Sequence, residues 1–147
     1  MRNFILATVF AAMASILASC ADDKEMMAKE ATLYDRLGGK PAITAVVDQF
    51  VANIAADSRI NQRFAKTDIP ELKRLLVEQI CEATGGPCKY TGRDMVTTHK
   101  GMNISQEEFN WTGGHLAAAL DKFNVPAKEK NELLTAIGSM QNDIVGQ

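Results

Sequence analysis

This chain of 147 residues has few of the residue types that build metal clusters, with 2 histidines and 3 cysteines. So few histidines exclude a centre built from several imidazoles. There are 16 lysines and arginines against 18 aspartates and glutamates, and no basic patch occurs, so no nucleic-acid partner is expected. No segment shows sustained alternation of apolar and polar residues, so no β-strand is predicted.

A long apolar run is present at the N-terminus, from Phe4 to Leu17, and it is typical of a secretory signal. The run ends in Leu17-Ala18-Ser19-Cys20, which resembles a bacterial lipobox and implies cleavage before a lipidated Cys20. A plain signal peptide cut nearby is the alternative. Residues 21–31 are rich in charge and are predicted to form a tether. Residues 32–147 are predicted to form one domain. We therefore expect an exported lipoprotein anchored in a membrane, facing the periplasm or the cell surface.

The two remaining cysteines, Cys81 and Cys88, form an even set in an oxidising compartment, where disulfides persist. A disulfide between them is expected, and two free thiols are the alternative. A zinc site would need further ligands at suitable spacing, and His99 is the one candidate nearby. The chain has no Cys-x-x-Cys-His motif, which excludes covalent c-type haem attachment.

Apolar residues recur with the helical period throughout residues 32–147. Helix starts are predicted at Thr32, after Gly38-Gly39-Lys40-Pro41, at Pro70, at the capping box Ser105-Gln-Glu-Glu108, and at Pro126. The residues predicted to face the interior are Tyr34, Leu37, Ile43, Val46, Val47, Phe50, Val51, Ile54, Leu72, Leu75, Leu76, Ile80, Ala83, Phe109, Leu116, Leu120, Phe123, Leu133, Leu134, Ile137, Met140 and Ile144. These patterns predict an all-α domain.

The helical pattern breaks between Gly86 and the capping box, and this irregular segment contains His99. Such a long irregular segment inside a compact domain is unusual unless it is functional. A neutral imidazole is a common protein ligand of haem iron, and Met95, Met102 and Ile104 supply the apolar neighbours that a porphyrin needs. The segment therefore favours a haem site in which His99 binds the iron, and an ordinary packed or surface histidine is the alternative.

Taken together, these motifs resemble the group 1 truncated haemoglobins, a family of two-on-two helical haem proteins. The residues that carry the resemblance are Leu33-Tyr34-Asp35-Arg36-Leu37-Gly38-Gly39, Phe50, Phe64, Gly85-Gly86, Tyr90-Thr91-Gly92-Arg93-Asp94-Met95, His99-Lys-Gly-Met102-Asn-Ile104, Phe109 and Gly114-His115-Leu116. The resemblance extends from Leu33 to Ile144. It implies a truncated, two-on-two globin sandwich that encloses non-covalent haem b and binds O2, NO or CO reversibly.

The resemblance also implies roles for individual residues. His99 is the implied proximal ligand, while His115 is expected to make a local hydrogen bond instead of reaching the iron. Arg93 either pairs with a haem propionate or is a solvated turn residue. The implied haem-lining residues are Phe64, Leu72, Leu76 and Ile80, with Met95, Met102 and Ile104 on the proximal side.

The distal side departs from the family pattern. The family commonly has a tyrosine directly after the phenylalanine of its second helix, and here that position is Val51. Positions that often supply glutamine or histidine are occupied by Leu72, Leu75 and Leu76, which leaves Gln79 as the nearby amide. A hydrogen bond to bound oxygen is worth about 1.5–3 kcal/mol, or about tenfold to a hundredfold in affinity. We therefore expect weaker discrimination in favour of oxygen and a site suited to CO and NO.

Two other functions remain open at this point. NO dioxygenation or peroxidase-like turnover would use the same iron and an unidentified reductase, although an apolar distal side argues against efficient oxygen activation. A helical lipoprotein that binds a partner without any cofactor would leave the irregular segment around His99 without a purpose.

Overall fold

A computed structural model describes residues 30–147. The predicted signal peptide, Cys20 and the tether up to residue 29 lie outside the described residues. The α-helices are α1 (Leu33–Arg36), α2 (Gly39–Ala56), α3 (Ile69–Ala83), α4 (Met95–His99), α5 (Gln106–Lys122) and α6 (Ala127–Gly138), with 3₁₀ turns at Asn61–Phe64 and Gln141–Asp143. Within residues 30–147 there is no β-strand, and the predicted all-α class is confirmed. None of these helices is long and apolar enough to cross a membrane.

The helices begin where side chains can satisfy their free N–H groups. Thr32 and Ser105 both form the reciprocal capping box, which uses Asp35 and Glu108 respectively. Asp68 caps α3 by accepting a hydrogen bond from the Glu71 N–H at 3.0 Å. These contacts fix the entry of the chain into α1, α3 and α5, whereas α2 and α6 begin without a side-chain cap.

The core lies between α2 and α5, with α3 packed against α2 and α6 packed against α5. The predicted α2 stripe is confirmed, since its six members are buried: Ile43, Val46, Val47, Phe50, Val51 and Ile54. The other members of this core are Val77 and Ile80 of α3, Leu116, Ala119 and Leu120 of α5, Leu133 of α6, and Ile60. The apolar stripes of α2 and α5 therefore supply most of the buried side chains of this core.

Two predictions about the C-terminal half are wrong. Phe123 does not face the core but is 44% exposed, because α5 ends at Lys122 and the chain then turns through Asn124 at φ +54°. The last helix does not extend to Ile144, since α6 ends at Gly138 and a separate 3₁₀ turn follows.

The turn after α3 depends on its glycine pair. Gly85 has φ +81°, a conformation that residues with a Cβ rarely adopt. A Cβ on Gly86 would lie 2.5 Å from Cδ2 of Tyr34 and 2.7 Å from Sγ of Cys81. This sharp turn directs the chain back along α3 and towards His99.

Candidate functional site

Helix α3 has two different apolar faces. Val77, Ile80 and Cys81 are buried and point into the core. A second stripe, with the same helical period, consists of Ile69, Leu72, Leu76, Gln79 and Ala83, and none of these five is fully buried. The sequence predicted one stripe that mixed the two faces, because Leu72 and Ile80 are both apolar. The second stripe, which we call the site face of α3, lacks full cover from other helices.

Two cavities lie at opposite ends of the site face. The first, the Val51 cavity, has a volume of about 240 Å³ and is lined by Val51, Ile54, Ala55, Asn61, Gln62, Phe64, Ala65, Ile69 and Leu72. The second, the Met95 cavity, has a volume of about 360 Å³ and is lined by Gln79, Glu82, Ala83, Tyr90, Asp94, Met95, Met140 and Asp143. Leu76 lies on the same face between Leu72 and Gln79. The site face therefore borders a cavity at each end, and the second cavity reaches Met95 of α4. We call the two cavities together with the site face, which is one of their walls, the cleft.

A disulfide and polar contacts hold the other wall in place. Cys81 and Cys88 are joined, with their Cα atoms 5.7 Å apart, so the thiolates are not available to a zinc ion. The Thr91 hydroxyl donates to Glu78 Oε2 at 2.7 Å, and this bond lowers the pKa of Glu78 below its ordinary value. Arg74 Nη1 donates to Thr91 Oγ1 at 3.0 Å. Residues 88–91 therefore run antiparallel to α3 and deliver the chain to α4.

Helix α4 is short, and it presents Met95 and His99 one turn apart. Asp94 caps it by accepting a hydrogen bond from the Thr97 N–H at 2.8 Å. His99 is half-buried, and its Nδ1 lies 2.8 Å from the Met95 carbonyl oxygen. A carbonyl can only accept, so Nδ1 carries the proton and Nε2 of the neutral ring keeps its lone pair. Nε2 has no hydrogen-bond partner within residues 30–147, so this lone pair is available to a metal.

Arg63 links the segment after His99 to the Val51 cavity. Its guanidinium donates to both oxygens of Glu108, at 2.8 and 2.9 Å, and to the Met102 carbonyl at 2.8 Å. The C-terminus adds a second link, because the Gly146 N–H donates to the Ile104 carbonyl at 3.0 Å. The loop between α4 and α5 is therefore tied to the 3₁₀ turn that carries Phe64.

The structure gathers some of the predicted site residues and separates others. Val51, Phe64 and Leu72 line the same cavity. Leu76 packs half-buried against the core, and Leu75 is half-buried but lines neither of these two cavities. Ile80, expected on the distal side, is instead 3% exposed within the core. Its place on the other face of α3 explains this difference.

Gln79 does not lie where a distal hydrogen-bond donor was expected. It is two helical turns, about 10 Å, beyond Leu72 along α3. Its amide lies 3.4 Å from the sulfur atoms of both Met95 and Met140. Gln79 therefore closes the cleft at the Met95 end and does not line the Val51 cavity.

The residues predicted on the proximal side differ in burial. Met95 and Ile104 are half-buried, whereas Met102 is 43% exposed and makes no interior wall. The reason is the tight turn after His99, in which the Met102 N–H donates to the His99 carbonyl at 3.0 Å. Arg93 is exposed, and its guanidinium makes no hydrogen bond within the described residues.

The second histidine has a structural partner far away in the sequence. His115 Nε2 lies 2.7 Å from Asp57 Oδ2, and Asp57 also accepts hydrogen bonds from Arg59. These contacts lower the pKa of Asp57, and the bond from Arg59 is the largest cause. The expected bond local to its own helix is therefore replaced by one that joins α5 to the end of α2. His99 lines neither cavity, but it lies on α4 one turn from Met95, which lines the Met95 cavity.

Asn61 is a cavity residue that the sequence did not single out. It lies in the irregular connection between α2 and α3, where no periodicity marks which side chains face inward. Its Oδ1 is the one side-chain nitrogen or oxygen atom of residues 30–147 found buried without a hydrogen-bond partner. Only the packing of three chain segments around the Val51 cavity reveals it.

Comparisons with known proteins agree with this geometry. The family model described as bacterial-like globin matches residues 32–145. A group 1 truncated haemoglobin of Mycolicibacterium paratuberculosis is 38% identical over 117 residues, which cover 80% of this chain and 86% of that protein. The truncated haemoglobin of Tetrahymena pyriformis in its Fe(III) form has a TM-score of 0.77 and 32% identity, covering 80% of this chain and 100% of that one. A Synechococcus 2/2 haemoglobin with covalently attached haem has a TM-score of 0.73 and 30% identity, covering 78% of this chain and 98% of that one. The expected resemblance is confirmed, and the chain belongs to the bacterial-like globin family.

Proposed function

We propose that this globin binds haem b non-covalently through His99 Nε2 and holds O2, NO or CO reversibly on the opposite side. The observation that carries the proposal is the hydrogen bond from His99 Nδ1 to the Met95 carbonyl. This bond selects the tautomer whose Nε2 can bind iron. Histidines that bind a metal typically donate their other ring N–H to a carbonyl or a carboxylate in this way. A bound haem would supply an iron that can take up a diatomic gas.

The cleft has the chemistry that a porphyrin needs. Leu72 and Leu76 on the site face of α3 offer apolar contacts to one side of the ring, and Phe64 offers an aromatic one. Met95 lies on the same face of α4 as His99 and offers a thioether contact. The free guanidinium of Arg93 suits a propionate at the exposed edge.

The apolar character of the distal positions favours reversible binding over oxygen chemistry. Val51 is 6% exposed and Leu72 is half-buried, and neither side chain has a hydrogen-bond donor. Enzymatic activation of oxygen generally relies on preorganised donors near the developing charge. Production of nitrate from NO and oxygen, with a reductase supplied, would instead favour NO dioxygenation.

Haem titration of the purified chain tests the proposal, with the two histidines as a matched pair. We expect a Soret band in the wild type and in His115→Ala, and its loss or strong weakening in His99→Ala. The haem should be extracted by acidified organic solvent, since no covalent bond holds it. A Soret band in His99→Ala as strong as in the wild type would contradict the assigned ligand.

We also propose that the protein is exported and anchored through lipids on Cys20. The support is the apolar run from Phe4 to Leu17 and the lipobox-like ending before that cysteine. The disulfide between Cys81 and Cys88 fits an oxidising compartment. Labelled fatty acid should be incorporated into the wild type and not into Cys20→Ser, which should leave the membrane fraction. Equal labelling of both proteins would contradict lipidation at Cys20.

A further inference from the structure

Helix α4 is too short to fix its own orientation. It consists of the 5 residues Met95–His99, and none of its side chains is fully buried. Helices of fewer than about 12 residues are marginal in water by themselves, so the contacts at the two ends of α4 must hold it. His99 is the last residue of this helix, and a tilt of α4 therefore moves the imidazole as well. The contacts that anchor α4 decide where Nε2 points.

Two hydroxyl groups converge on one backbone carbonyl at the start of α4. The Tyr90 hydroxyl donates to the Arg93 carbonyl at 2.9 Å, and the Thr98 hydroxyl donates to the same oxygen at 3.2 Å. A carbonyl oxygen has two lone pairs, so it can accept both bonds at once. Arg93 directly precedes the N-cap residue Asp94, while Thr98 directly precedes His99. We call Tyr90, Thr98 and the Arg93 carbonyl the clamp, since together they join the start of α4 to its last turn.

Tyr90 is itself fixed to α3 and closely packed. Its backbone N–H donates to Glu82 Oε2 of α3 at 3.2 Å. A Cβ on Gly92 would overlap the Tyr90 hydroxyl, so the ring lies directly against the Gly92 backbone. Burial raises the pKa of Tyr90 above its ordinary value, so the hydroxyl keeps its proton and remains a donor at neutral pH. Tyr90 therefore connects the long helix α3 to the short helix α4.

We propose that Tyr90 is a positioning residue of the haem site, which sets through the clamp the angle at which His99 Nε2 meets the iron. This inference rests on the proposed function, because the angle of His99 matters only if His99 is the iron ligand. Tyr90 acts through the Arg93 carbonyl and α4, not through a contact of its own with the iron. A bond between iron and imidazole weakens when the ring is tilted from its preferred direction, so loosening the clamp should weaken this bond.

The test compares Tyr90→Phe with Tyr34→Phe in the full chain loaded with haem. Each substitution removes one tyrosine hydroxyl, and that of Tyr34 accepts from the Lys40 N–H at 3.0 Å, near the start of α2. We expect Tyr90→Phe to lower the iron–histidine stretching frequency in the resonance Raman spectrum of the ferrous protein. Haem transfer to apomyoglobin should become about twofold to tenfold faster, as expected for the loss of one neutral hydrogen bond. Tyr34→Phe should leave both quantities unchanged.

Thr98 supplies a second pair of variants. Thr98→Ser keeps the hydroxyl and should retain the iron–histidine frequency of the wild type, whereas Thr98→Val removes the hydroxyl at nearly the same size. Because Tyr90 and Thr98 share one acceptor, either donor can still hold the carbonyl when the other is lost. The double variant Tyr90→Phe, Thr98→Val should therefore speed haem transfer by more than the product of the two single effects. Amide hydrogen exchange of residues 97–99 in the haem-loaded chain should also be faster in Tyr90→Phe than in Tyr34→Phe.

The outcomes separate this inference from the proposed function. A normal Soret band in Tyr90→Phe, with an unchanged iron–histidine frequency and unchanged haem transfer, would overturn the role of Tyr90 alone. The same role is overturned if Tyr90→Phe lowers only the thermal unfolding midpoint, or if Tyr34→Phe shifts the frequency equally. If Tyr90→Phe does not fold, Thr98→Val against Thr98→Ser decides the question by the same measurements. A wild type without any Soret band would overturn both the inference and the proposed function.

Discussion

The α2–α5 pair and the α3–α4 pair are stabilised in different ways. Between α2 and α5, fully buried aliphatic side chains such as Val47 and Leu120 fill the space. Between α3 and α4, the facing side chains are only half-buried, and the geometry is held by a disulfide, caps and Arg63. Packing of apolar side chains therefore holds α2 and α5 together, and we call this pair the frame. Directed polar and covalent contacts instead position the site. Each of the following changes tests one side of this comparison.

The largest effect is expected for Leu120→Ala in the frame. Leu120 is 1% exposed, and a buried Leu→Ala substitution costs about 2–5 kcal/mol because transfer energy is lost and a cavity remains. Leu75→Ala is the control, since Leu75 is half-buried and is not part of the core cluster. Urea unfolding should show a much smaller loss for the control. Equal losses would contradict the division between frame and site.

Removing the disulfide tests the other side of the comparison. The double variant Cys81→Ser, Cys88→Ser should lose about 2–3 kcal/mol in the chain-entropy model for so short a loop. Haem affinity should fall as well, because the turn that leads to α4 is freed. Urea unfolding and haem titration measure the two effects, and thiol counting with and without reductant establishes the bond in the wild type. Two reactive thiols without reductant would contradict the disulfide.

Gly86→Ala should cost about 1–3 kcal/mol, as overpacking commonly does. The new Cβ would overlap the Tyr34 ring and the Cys81 backbone carbonyl, the latter at 2.8 Å. Gly114→Ala is the matched control, because its Cβ meets nothing within 4 Å and it lies inside α5. The control should gain about 0.5–1 kcal/mol through the lower entropy of the unfolded chain. Thermal unfolding of both variants measures this difference in stability. Equal shifts of the unfolding midpoint would contradict the close packing around Gly86.

The smallest effect is expected for Arg63→Ala, and it should depend on pH. Arg63 holds the pKa of Glu108 below its ordinary value of 4.5. A carboxylate with a lowered folded-state pKa stabilises the protein above pH 4.5, and this contribution is lost as the pH falls through the folded-state pKa. Because Arg63 is 41% exposed, solvent screens this ion pair, and the loss of stability at neutral pH should be the smallest of the four.

Urea unfolding at about pH 7 and about pH 3 measures this dependence. The difference between the wild type and Arg63→Ala should shrink as the pH falls through the lowered folded-state pKa of Glu108. A difference that stays constant would show that Arg63 acts through its bond to the Met102 carbonyl alone.

The sequence alone determined the features that depend on neighbours along the chain. Helical periodicity identified the α2 stripe, because side chains three and four residues apart share a face. The capping box at Ser105 and the helix start at Thr32 were readable for the same reason, and the irregular segment drew attention to His99. The resemblance to truncated haemoglobins, carried by local motifs, was confirmed as membership of the globin family.

Only the tertiary structure decided which of several apolar faces meets the core. It placed Ile80 in the interior and Leu72 at a cavity, it left Phe123 and Met102 exposed, and it moved Gln79 away from the position expected for a donor. Asn61 was invisible in the sequence because it lies in a connection without periodicity. Its surroundings are created when segments distant along the chain pack together, and no local pattern records such contacts.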